Sequence, residues 1–464
     1  MRTDVIVIGG GIAGIAAAVR LAREGVRVEL LETRKKLGGR ATSHRDPKSG
    51  ELIDNCQHVT LGCCVNYLKL LDDIGAADKL TWTDRQWWVE PGGRTSVLEP
   101  WLLPAPFHAT LSFLCVKFLS PGEKAAVARA IAAAMRTDRS TWVGRTFREF
   151  LDQTNQPPHA VARFWTPIVV SACNLSVDRV SAEAALQVIQ QAFLASAEAG
   201  RIGLANVPLV ELYENVPALI ESGGGRVQTG ASVRSFDERS VKLASGEAIE
   251  ADRVICALPF ERAISAADDA LRARDSRFGQ MASLGHSPII GVHLAFDRPV
   301  IETPHAVLLD RMTDWLFRKD NAGTTVHAVI SAADEFVGLA EAELIERVVG
   351  DLRACLPGAA GPQLVSGRAI KEKRATFAAT ADSDRYRPTA VSEETSLVLA
   401  GDWVRTGWPA TMEGATRAGL IAADAVLEGA STSGHHVDSS LESELRGRGL
   451  SSVLLSRAAF ATVR

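Results

Sequence analysis

The chain of 464 residues is 46% hydrophobic and 23% charged, a balance typical of a globular protein with a large core. A formal net charge of −4 excludes the strongly basic composition of many nucleic-acid-binding proteins, so we expect no nucleic-acid partner. The seven cysteines form no Cys-x-x-Cys pair and no metal-binding spacing with histidine, which predicts reduced thiols, no metal and a cytoplasmic protein. Because the chain begins on a strand and has no apolar run of about 18 residues, we expect neither a signal peptide nor a membrane span.

The first forty residues predict a β-strand, an α-helix and a second strand. Residues 3–8 are apolar and β-branched, a G-x-G-x-x-G pattern and an amphipathic helix follow, and residues 26–31 form the second strand. Such glycines let the backbone approach a pyrophosphate, and the helix N-terminus attracts its charge. Glu32 is suited to bind both ribose hydroxyls and to repel a 2′-phosphate. The predicted dinucleotide-binding residues of this unit are Gly9, Gly11, Ile12, Ala13, Gly14 and Glu32.

A second glycine turn follows, Leu37-Gly38-Gly39-Arg40, which NAD-binding domains generally lack. Together with the preceding unit it resembles the FAD-binding signature of glutathione-reductase-like flavoproteins, and in particular of the amine oxidase and phytoene desaturase superfamily. The resemblance implies a Rossmann-like FAD-binding domain. It adds Gly38, Gly39 and Arg40 to the cofactor-binding residues. No Cys-His motif for flavin attachment is evident, so we expect the FAD to be bound non-covalently.

The segment Asp54-Asn55-Cys56-Gln57-His58 lies in a predicted strand over residues 52–59 and narrows the resemblance. Together with Leu61-Gly62-Cys63 it resembles the motif of the squalene-associated FAD-dependent desaturases, the hydroxysqualene dehydroxylase family. Cys56 stands where we expect glycine, a departure that tightens this turn or changes the surface that faces the flavin.

Residues 82–200 are predicted to form a mostly helical insertion, with helices near 121–135, 146–151, 164–174 and 182–195. The segment 101–119 within it is rich in Trp, Leu and Phe. Two interpretations stay open for this segment. It is either a buried helix of a substrate domain or a surface that enters a bilayer, from which an apolar substrate is drawn.

Elements of the flavin domain return later in the chain. The resemblance places Val233 against the adenine, and residues 252–259 form a buried strand. A further buried strand ends in Gly401 and Asp402, and a helix begins at Thr411 and Met412; the resemblance assigns these four residues to the cofactor. The predicted elements of the substrate domain between them are strands at 289–296, 306–309 and 370–377 and a helix at 340–356.

We therefore predict an α/β fold in which a Rossmann-like FAD-binding domain of the glutathione-reductase type is interleaved with a mixed α+β substrate domain and a helical insertion. The predicted segments are 1–62, 203–262 and 392–430 for the FAD-binding domain, 63–202 and 263–391 for the substrate domain, and 431–464 for a tail consisting of a disordered linker and a short helix.

The resemblance implies FAD-dependent reduction of hydroxysqualene to squalene with loss of water, a step of hopanoid and squalene biosynthesis. Departure of the hydroxyl group requires a proton, and His58 is the first candidate donor, ahead of Gln57 and Asp54. Trp403 and Trp408 are expected in the substrate pocket.

Thr411 stands where amine oxidases of this architecture carry an aromatic residue of the substrate cage, so an amine substrate is disfavoured. Two alternatives stay open: a carotenoid-type polyene desaturase acting in the oxidative direction, and a flavin-binding scaffold without turnover. The expected partners are an apolar C30 isoprenoid substrate, a membrane surface that the cytoplasmic protein contacts peripherally, and other enzymes of the squalene pathway.

Overall fold

A computed structural model describes residues 3–47 and 50–430. The predicted linker and short helix of the tail, at 431–464, lie outside the described residues.

The strands, in chain order, are β1 (Thr3–Ile8), β2 (Val28–Glu32), β3 (Ser43–Arg45), β4 (Leu52–Asp54), β5 (Val59–Leu61), β6 (Leu80–Thr83), β7 (Gln86–Val89), β8 (Thr95–Leu98), β9 (Ile202–Ala205), β10 (Arg226–Thr229), β11 (Val233–Phe236), β12 (Ser240–Leu243), β13 (Ala248–Cys256), β14 (His286–Phe296), β15 (His305–Leu308), β16 (Trp315–Arg318), β17 (Thr325–Ile330), β18 (Leu364–Phe377) and β19 (Val398–Leu399).

The α-helices are α1 (Ile12–Arg23), α2 (Val65–Asp73), α3 (Thr110–Cys115), α4 (Pro121–Arg136), α5 (Phe147–Gln153), α6 (Pro158–Ala160), α7 (Thr166–Cys173), α8 (Ala182–Val188), α9 (Val216–Ser222), α10 (Phe260–Ala266), α11 (Asp269–Arg274), α12 (Arg277–Met281), α13 (Glu341–Cys355) and α14 (Met412–Ala430). π-Helical turns at Val161–Trp165 and Ile189–Leu194 adjoin α7 and α8.

The first sheet has the strand order β10-β2-β1-β13-β12-β11, and β19 pairs with β13. The apolar runs of β1 and β2 pair in parallel, and β1 also pairs in parallel with β13, so residues from both ends of the chain meet at one sheet edge. Helices α1 and α14 pack closely because Gly419 brings the α14 backbone against α1, where an added Cβ would lie 2.2 Å from the Ala13 carbonyl oxygen. The predicted Rossmann-like unit is confirmed.

A second sheet has the order β18-β14-β17-β16-β15-β7-β8, and α13 packs against it over a separate apolar core. A third sheet, β5-β9-β6, joins two strands within residues 59–83 to a strand at 202–205, after the helical insertion. The predicted boundary between 202 and 203 is wrong, since it cuts through β9, whose four residues pair with both β5 and β6. The rest of the domain division stays a prediction.

The structure corrects two further predictions. Residues 52–59 are not one strand, because β4 ends at Asp54 and β5 begins at Val59, with a loop between them. The insertion is not helical from residue 82, because β6 extends to residue 83 and β7 and β8 follow, and β7 pairs with β15 from the substrate sheet. In the described part of the chain no helix combines the length and hydropathy needed to cross a membrane.

Candidate active site

A cavity of about 660 Å³ runs from the edge of the first sheet to the second sheet and to helices α7 and α8. Of the predicted cofactor residues, all but Gly14 line it: Gly9, Gly11, Ile12, Ala13, Glu32, Gly38, Gly39, Arg40, Val233, Gly401, Asp402, Thr411 and Met412. Gly14 instead lies against Gly9, where an added Cβ would be 1.8 Å from the Gly9 carbonyl oxygen. Its role is therefore close packing of helix on turn, which any side chain would prevent.

The two glycine turns form a narrow cradle at one end of the cavity. Gly9 has a φ of +107°, and an added Cβ would lie 2.7 Å from the carbonyl oxygen of Ala257. The turns approach each other so closely that a Cβ on Gly39 would lie 2.9 Å from the Cα of Gly11. Helix α1 begins here with no side-chain cap and no acidic residue in its first turn, so its N-terminal N–H groups favour an anion. This cradle fits a dinucleotide pyrophosphate.

Glu32 closes the cradle on the ribose side. One carboxylate oxygen accepts the Gly10 N–H at 2.8 Å and the other accepts the Arg34 N–H at 2.7 Å. Because a carboxylate has about four acceptor positions, two remain for the hydroxyl groups of a ribose. The side chain is thus fixed in place while still able to bind a ligand in the cavity.

An ion pair joins segments from the two ends of the chain at the middle of the cavity. Arg40 Nη2 donates to Asp402 Oδ1 at 2.5 Å, and Arg40 Nη1 donates to the Ala375 carbonyl at 2.9 Å. Asp402 is only 5% exposed, and the Arg40 guanidinium is its ion-pair partner in this buried position. These contacts hold the second glycine turn against the end of β19.

The first turn of α14 is fixed by Glu413, a residue that the sequence analysis did not assign. Glu413 is fully buried, and its carboxylate accepts hydrogen bonds from Asn66 Nδ2 at 2.6 Å and from the Tyr67 N–H at 2.9 Å. It therefore caps α2, which has no side-chain cap of its own. Thr411 Oγ1 in turn accepts the Gly414 N–H at 3.0 Å. An acid in the first turn of a helix was the available signal, but its partner helix could not be inferred.

The loop between β4 and β5 brings Gln57 and His58 to the cavity wall. The His58 ring Nδ1 lies 3.2 Å from the Cys56 carbonyl oxygen, so Nδ1 carries the proton and donates it. Burial lowers the pKa of His58, and Arg40 adds to this, while the Cys56 carbonyl and Asp54 oppose it. The imidazole is therefore neutral at pH 7, and Nε2 is the nitrogen that can take up a proton.

Asp54 does not line the cavity, and the prediction that it acts as a proton donor is wrong. Its carboxylate accepts hydrogen bonds from Ser43 Oγ at 2.7 Å and the Leu209 N–H at 3.0 Å, and pairs with Lys319 Nζ at 3.2 Å. Burial alone would raise the pKa of Asp54, but Lys319 and these hydrogen bonds together lower it. The group is therefore ionised at neutral pH and fixes the loop in position.

Three polar residues beneath this loop were missed by the sequence analysis. Lys319 Nζ also donates to Gln57 Oε1 at 3.2 Å. The rings of His293 and His327 stack, with their centroids 3.9 Å apart. His293 Nε2 also donates a hydrogen bond to the Asp54 carbonyl oxygen at 2.9 Å. Burial lowers the pKa of His293 to about 4, so both stacked rings are neutral at pH 7. No sequence motif marks them, because they come from separate strands of the second sheet.

The other end of the cavity is predominantly apolar. Its wall includes Trp88, Ile168, Val188, Phe193, Ile289, Trp315, Phe317 and Val329. Both predicted pocket tryptophans line the cavity, but Trp403 is 1% exposed and its Nε1 donates to the Leu258 carbonyl at 3.1 Å. Trp408 is the more accessible of the two.

A glycine cradle for a dinucleotide, joined to an apolar chamber within a Rossmann-like fold, defines a flavin-dependent oxidoreductase. Residues 12–427 match the model of the flavin containing amine oxidoreductase family, and the chain belongs to that family. The family resemblance found in the sequence is thereby confirmed, and the protein is an FAD-dependent oxidoreductase.

The chain is similar to two proteins in sequence and to a third in structure. The chain is 28% identical to a hydroxysqualene dehydroxylase of Zymomonas mobilis, over 91% of this chain and 98% of that protein. It is 24% identical to a chloroplastic 15-cis-phytoene desaturase of an Oncidium hybrid, over 92% of this chain and 78% of that protein. The crystal structure of an oxidoreductase from Methanosarcina mazei has the same fold, with a TM-score of 0.70 at 17% identity over 92% of this chain and all of that chain.

Proposed function

We propose that the protein reduces hydroxysqualene to squalene with loss of water. The observation that carries the proposal is the cavity itself, in which the dinucleotide cradle continues into an apolar chamber with Gln57 and His58 on its wall. The similarity to a hydroxysqualene dehydroxylase along almost the whole chain supports this choice of substrate. The overall reaction adds a hydride and a proton to the alcohol and releases squalene and water.

The chain's own residues divide the binding of FAD among them. The glycine turns and the N-terminus of α1 would hold the pyrophosphate, Glu32 the adenosine ribose, Val233 the adenine, and Asp402 with the start of α14 the flavin half. When bound and reduced, FAD supplies the hydride that replaces the hydroxyl group.

The reaction also needs a dry site for the carbon centre that becomes electron-poor as the hydroxyl leaves. The apolar chamber provides this site. The rings of Trp315 and Phe317 stack on the chamber wall, with their centroids 5.7 Å apart. Such aromatic faces attract positive charge. The apolar wall excludes water that would otherwise recapture the carbon centre.

We propose His58 as the proton donor to the leaving hydroxyl. Its Nδ1–H is held by the Cys56 carbonyl, so a proton taken up at Nε2 is the one available to a ligand in the cavity. Because burial lowers the pKa of His58, the donor form is a minor fraction at pH 7 and grows as the pH falls. Gln57, held by Lys319, positions the same loop.

We also propose that the protein takes its substrate from a phospholipid bilayer, through an apolar patch formed by residues 101–114. Six of the eleven large exposed hydrophobic side chains in the described residues belong to it: Trp101, Leu102, Leu103, Phe107, Leu111 and Leu114. Leu102 is fully exposed, no acidic residue occurs between positions 100 and 122, and Lys117 is exposed beside the patch. This composition suits a bilayer interface with anionic headgroups.

A line of aromatic rings joins the patch to the cavity. The ring centroids of Phe113 and Phe164 are 5.4 Å apart, and those of Phe164 and Trp88 are 6.3 Å apart. Trp88 in turn lines the cavity wall. An isoprenoid has negligible solubility in water, so an apolar route from the bilayer to the chamber favours membrane uptake over diffusion through solvent.

The test of the reaction is a single turnover of the photoreduced holoenzyme with hydroxysqualene under anaerobic conditions. We expect the flavin absorbance to return as squalene forms, with the product identified by mass spectrometry. Failure of the flavin to reoxidise contradicts the proposal. A conjugated polyene formed from squalene by the oxidised enzyme would instead establish the desaturase activity of relatives such as the Oncidium protein.

A further inference from the structure

Two glutamine side chains interrupt the apolar end of the cavity. Gln187 lies in α8 and Gln191 lies one turn later in the adjoining π-helical turn, and both line the cavity beside Val188 and Phe193. Gln187 is only 5% exposed. Two carboxamides on one face of a helix therefore project into a chamber whose other walls are largely hydrocarbon.

Neither carboxamide has a hydrogen-bond partner within the described part of the chain. A third glutamine of the same helical segment, by contrast, is fully hydrogen-bonded. Gln190 is equally buried, but its Oε1 accepts from Arg139 Nη1 at 2.6 Å, and its Nε2 donates to the carbonyls of Ala134 at 2.7 Å and Thr137 at 3.0 Å. The protein thus satisfies the glutamine that faces its interior and leaves the two that face the cavity for a ligand.

We propose that Gln187 and Gln191 form a subsite that recognises the hydroxyl group of an isoprenoid alcohol. A carboxamide offers both a donor and an acceptor, and a hydroxyl group needs both. A hydrocarbon of the same length leaves the two amides buried and unpaired, so the subsite favours the alcohol over a polyene. The inference rests on the proposed function, because hydroxysqualene carries a hydroxyl group and squalene does not. Loss of the hydroxyl group then weakens binding of the product and promotes its release.

The test is the ratio of the dissociation constants of squalene and hydroxysqualene for the oxidised holoenzyme, followed by the perturbation of flavin absorbance. Oxidised enzyme binds the alcohol without reducing it, so binding is measured apart from turnover. For Gln187→Leu and Gln191→Leu we expect weaker binding of hydroxysqualene by about 2- to 12-fold each, which corresponds to one hydrogen bond. We expect squalene to bind as tightly as before or more tightly. An unchanged ratio in the double variant overturns the subsite.

The matched control is Val188→Ala, which removes apolar wall without changing its polarity. It should weaken the binding of both ligands equally and leave their ratio unchanged. If a leucine variant loses FAD, Gln187→Asn and Gln191→Asn keep a carboxamide but withdraw it from the ligand, and the same fall in the ratio is expected.

Failure of the subsite and failure of the proposed function give different results. An enzyme that forms squalene but shows no dependence of the ratio on the two glutamines lacks the subsite and keeps the function. An enzyme that forms no squalene is still tested with farnesol and farnesene as the alcohol and hydrocarbon pair. Loss of farnesol preference in the double variant then supports the subsite while the reaction is rejected, and no loss overturns both.

Discussion

The buried carboxylate of Glu413 provides the sharpest test of how the site is assembled. Glu413→Gln replaces one of two acceptor oxygens by an NH₂ donor, which must face either Asn66 Nδ2 or the Tyr67 N–H, both of which are donors. Loss of one hydrogen bond to a charged group costs about 1.5–3 kcal/mol, and regained solvation offsets part of it, so we expect destabilisation by about 2 kcal/mol. Glu413→Ala leaves the buried Tyr67 N–H and the half-buried Asn66 amide without their acceptor and should cost about 4 kcal/mol.

The assay is chemical unfolding of the holoenzyme at one fixed, saturating FAD concentration, with flavin release and circular dichroism followed together. Glu428→Gln is the matched control, because Glu428 lies on the same helix and is exposed, and we expect a change below about 0.5 kcal/mol. If Glu413→Gln unfolds at the same denaturant concentration as Glu428→Gln, the carboxylate does not hold α14 against α2 and the reasoning fails.

Three further predictions follow from the same contacts. Arg40→Met leaves the Asp402 carboxylate buried without its guanidinium, and the dissociation constant of FAD should rise by about 10- to 100-fold in titrations of the apoprotein; an unchanged constant contradicts the assigned role. Burial lowers the pKa of His305 to about 4, so the unfolded state binds more protons below pH 6.5, and this residue alone should reduce the stability by about 1.4 kcal/mol between pH 8 and pH 5.5; His305→Phe should remove that slope from the stability profile. Leu102→Asp with Phe107→Asp should lower sedimentation with anionic vesicles by roughly 100-fold or more at unchanged FAD content, and full retention of binding excludes the patch.

The parts of the fold that could be predicted from the sequence are those that depend on patterns of neighbouring residues. The β-branched run before the glycine turn gives β1, and the Ser120 cap with Glu123 gives α4, where both reciprocal hydrogen bonds of the capping box form. The glycine turn after β1, the acid that ends β2 and the Gly-Asp that follows β19 likewise converge on one edge of the sheet, because these parallel strands end there.

Contacts between distant segments could not be predicted from such patterns. The Trp87 and Trp88 run is equally compatible with a helix, and its strand conformation depends on pairing with β15, more than two hundred residues away. Lys319 belongs to none of the motifs identified in the sequence, yet it contacts both Asp54 and Gln57. Gln187 and Gln191 were unremarked because a helix shows its cavity face only once its neighbours are placed.

The charge state of His58 has a consequence for how a pH dependence should appear. Burial is the main reason that its pKa is lowered, and among the nearby charges Asp54 favours the protonated ring while Arg40 opposes it. An apolar substrate removes the remaining water from the chamber and makes proton uptake harder still, so the proton must reach Nε2 before the substrate binds. We therefore expect kcat/KM, which reports the free enzyme, to rise as the pH falls below 7, while kcat changes less. Stopped-flow measurements with His58→Gln should show a flat profile of kcat/KM, and an acidic rise that persists in this variant would assign the proton to another group.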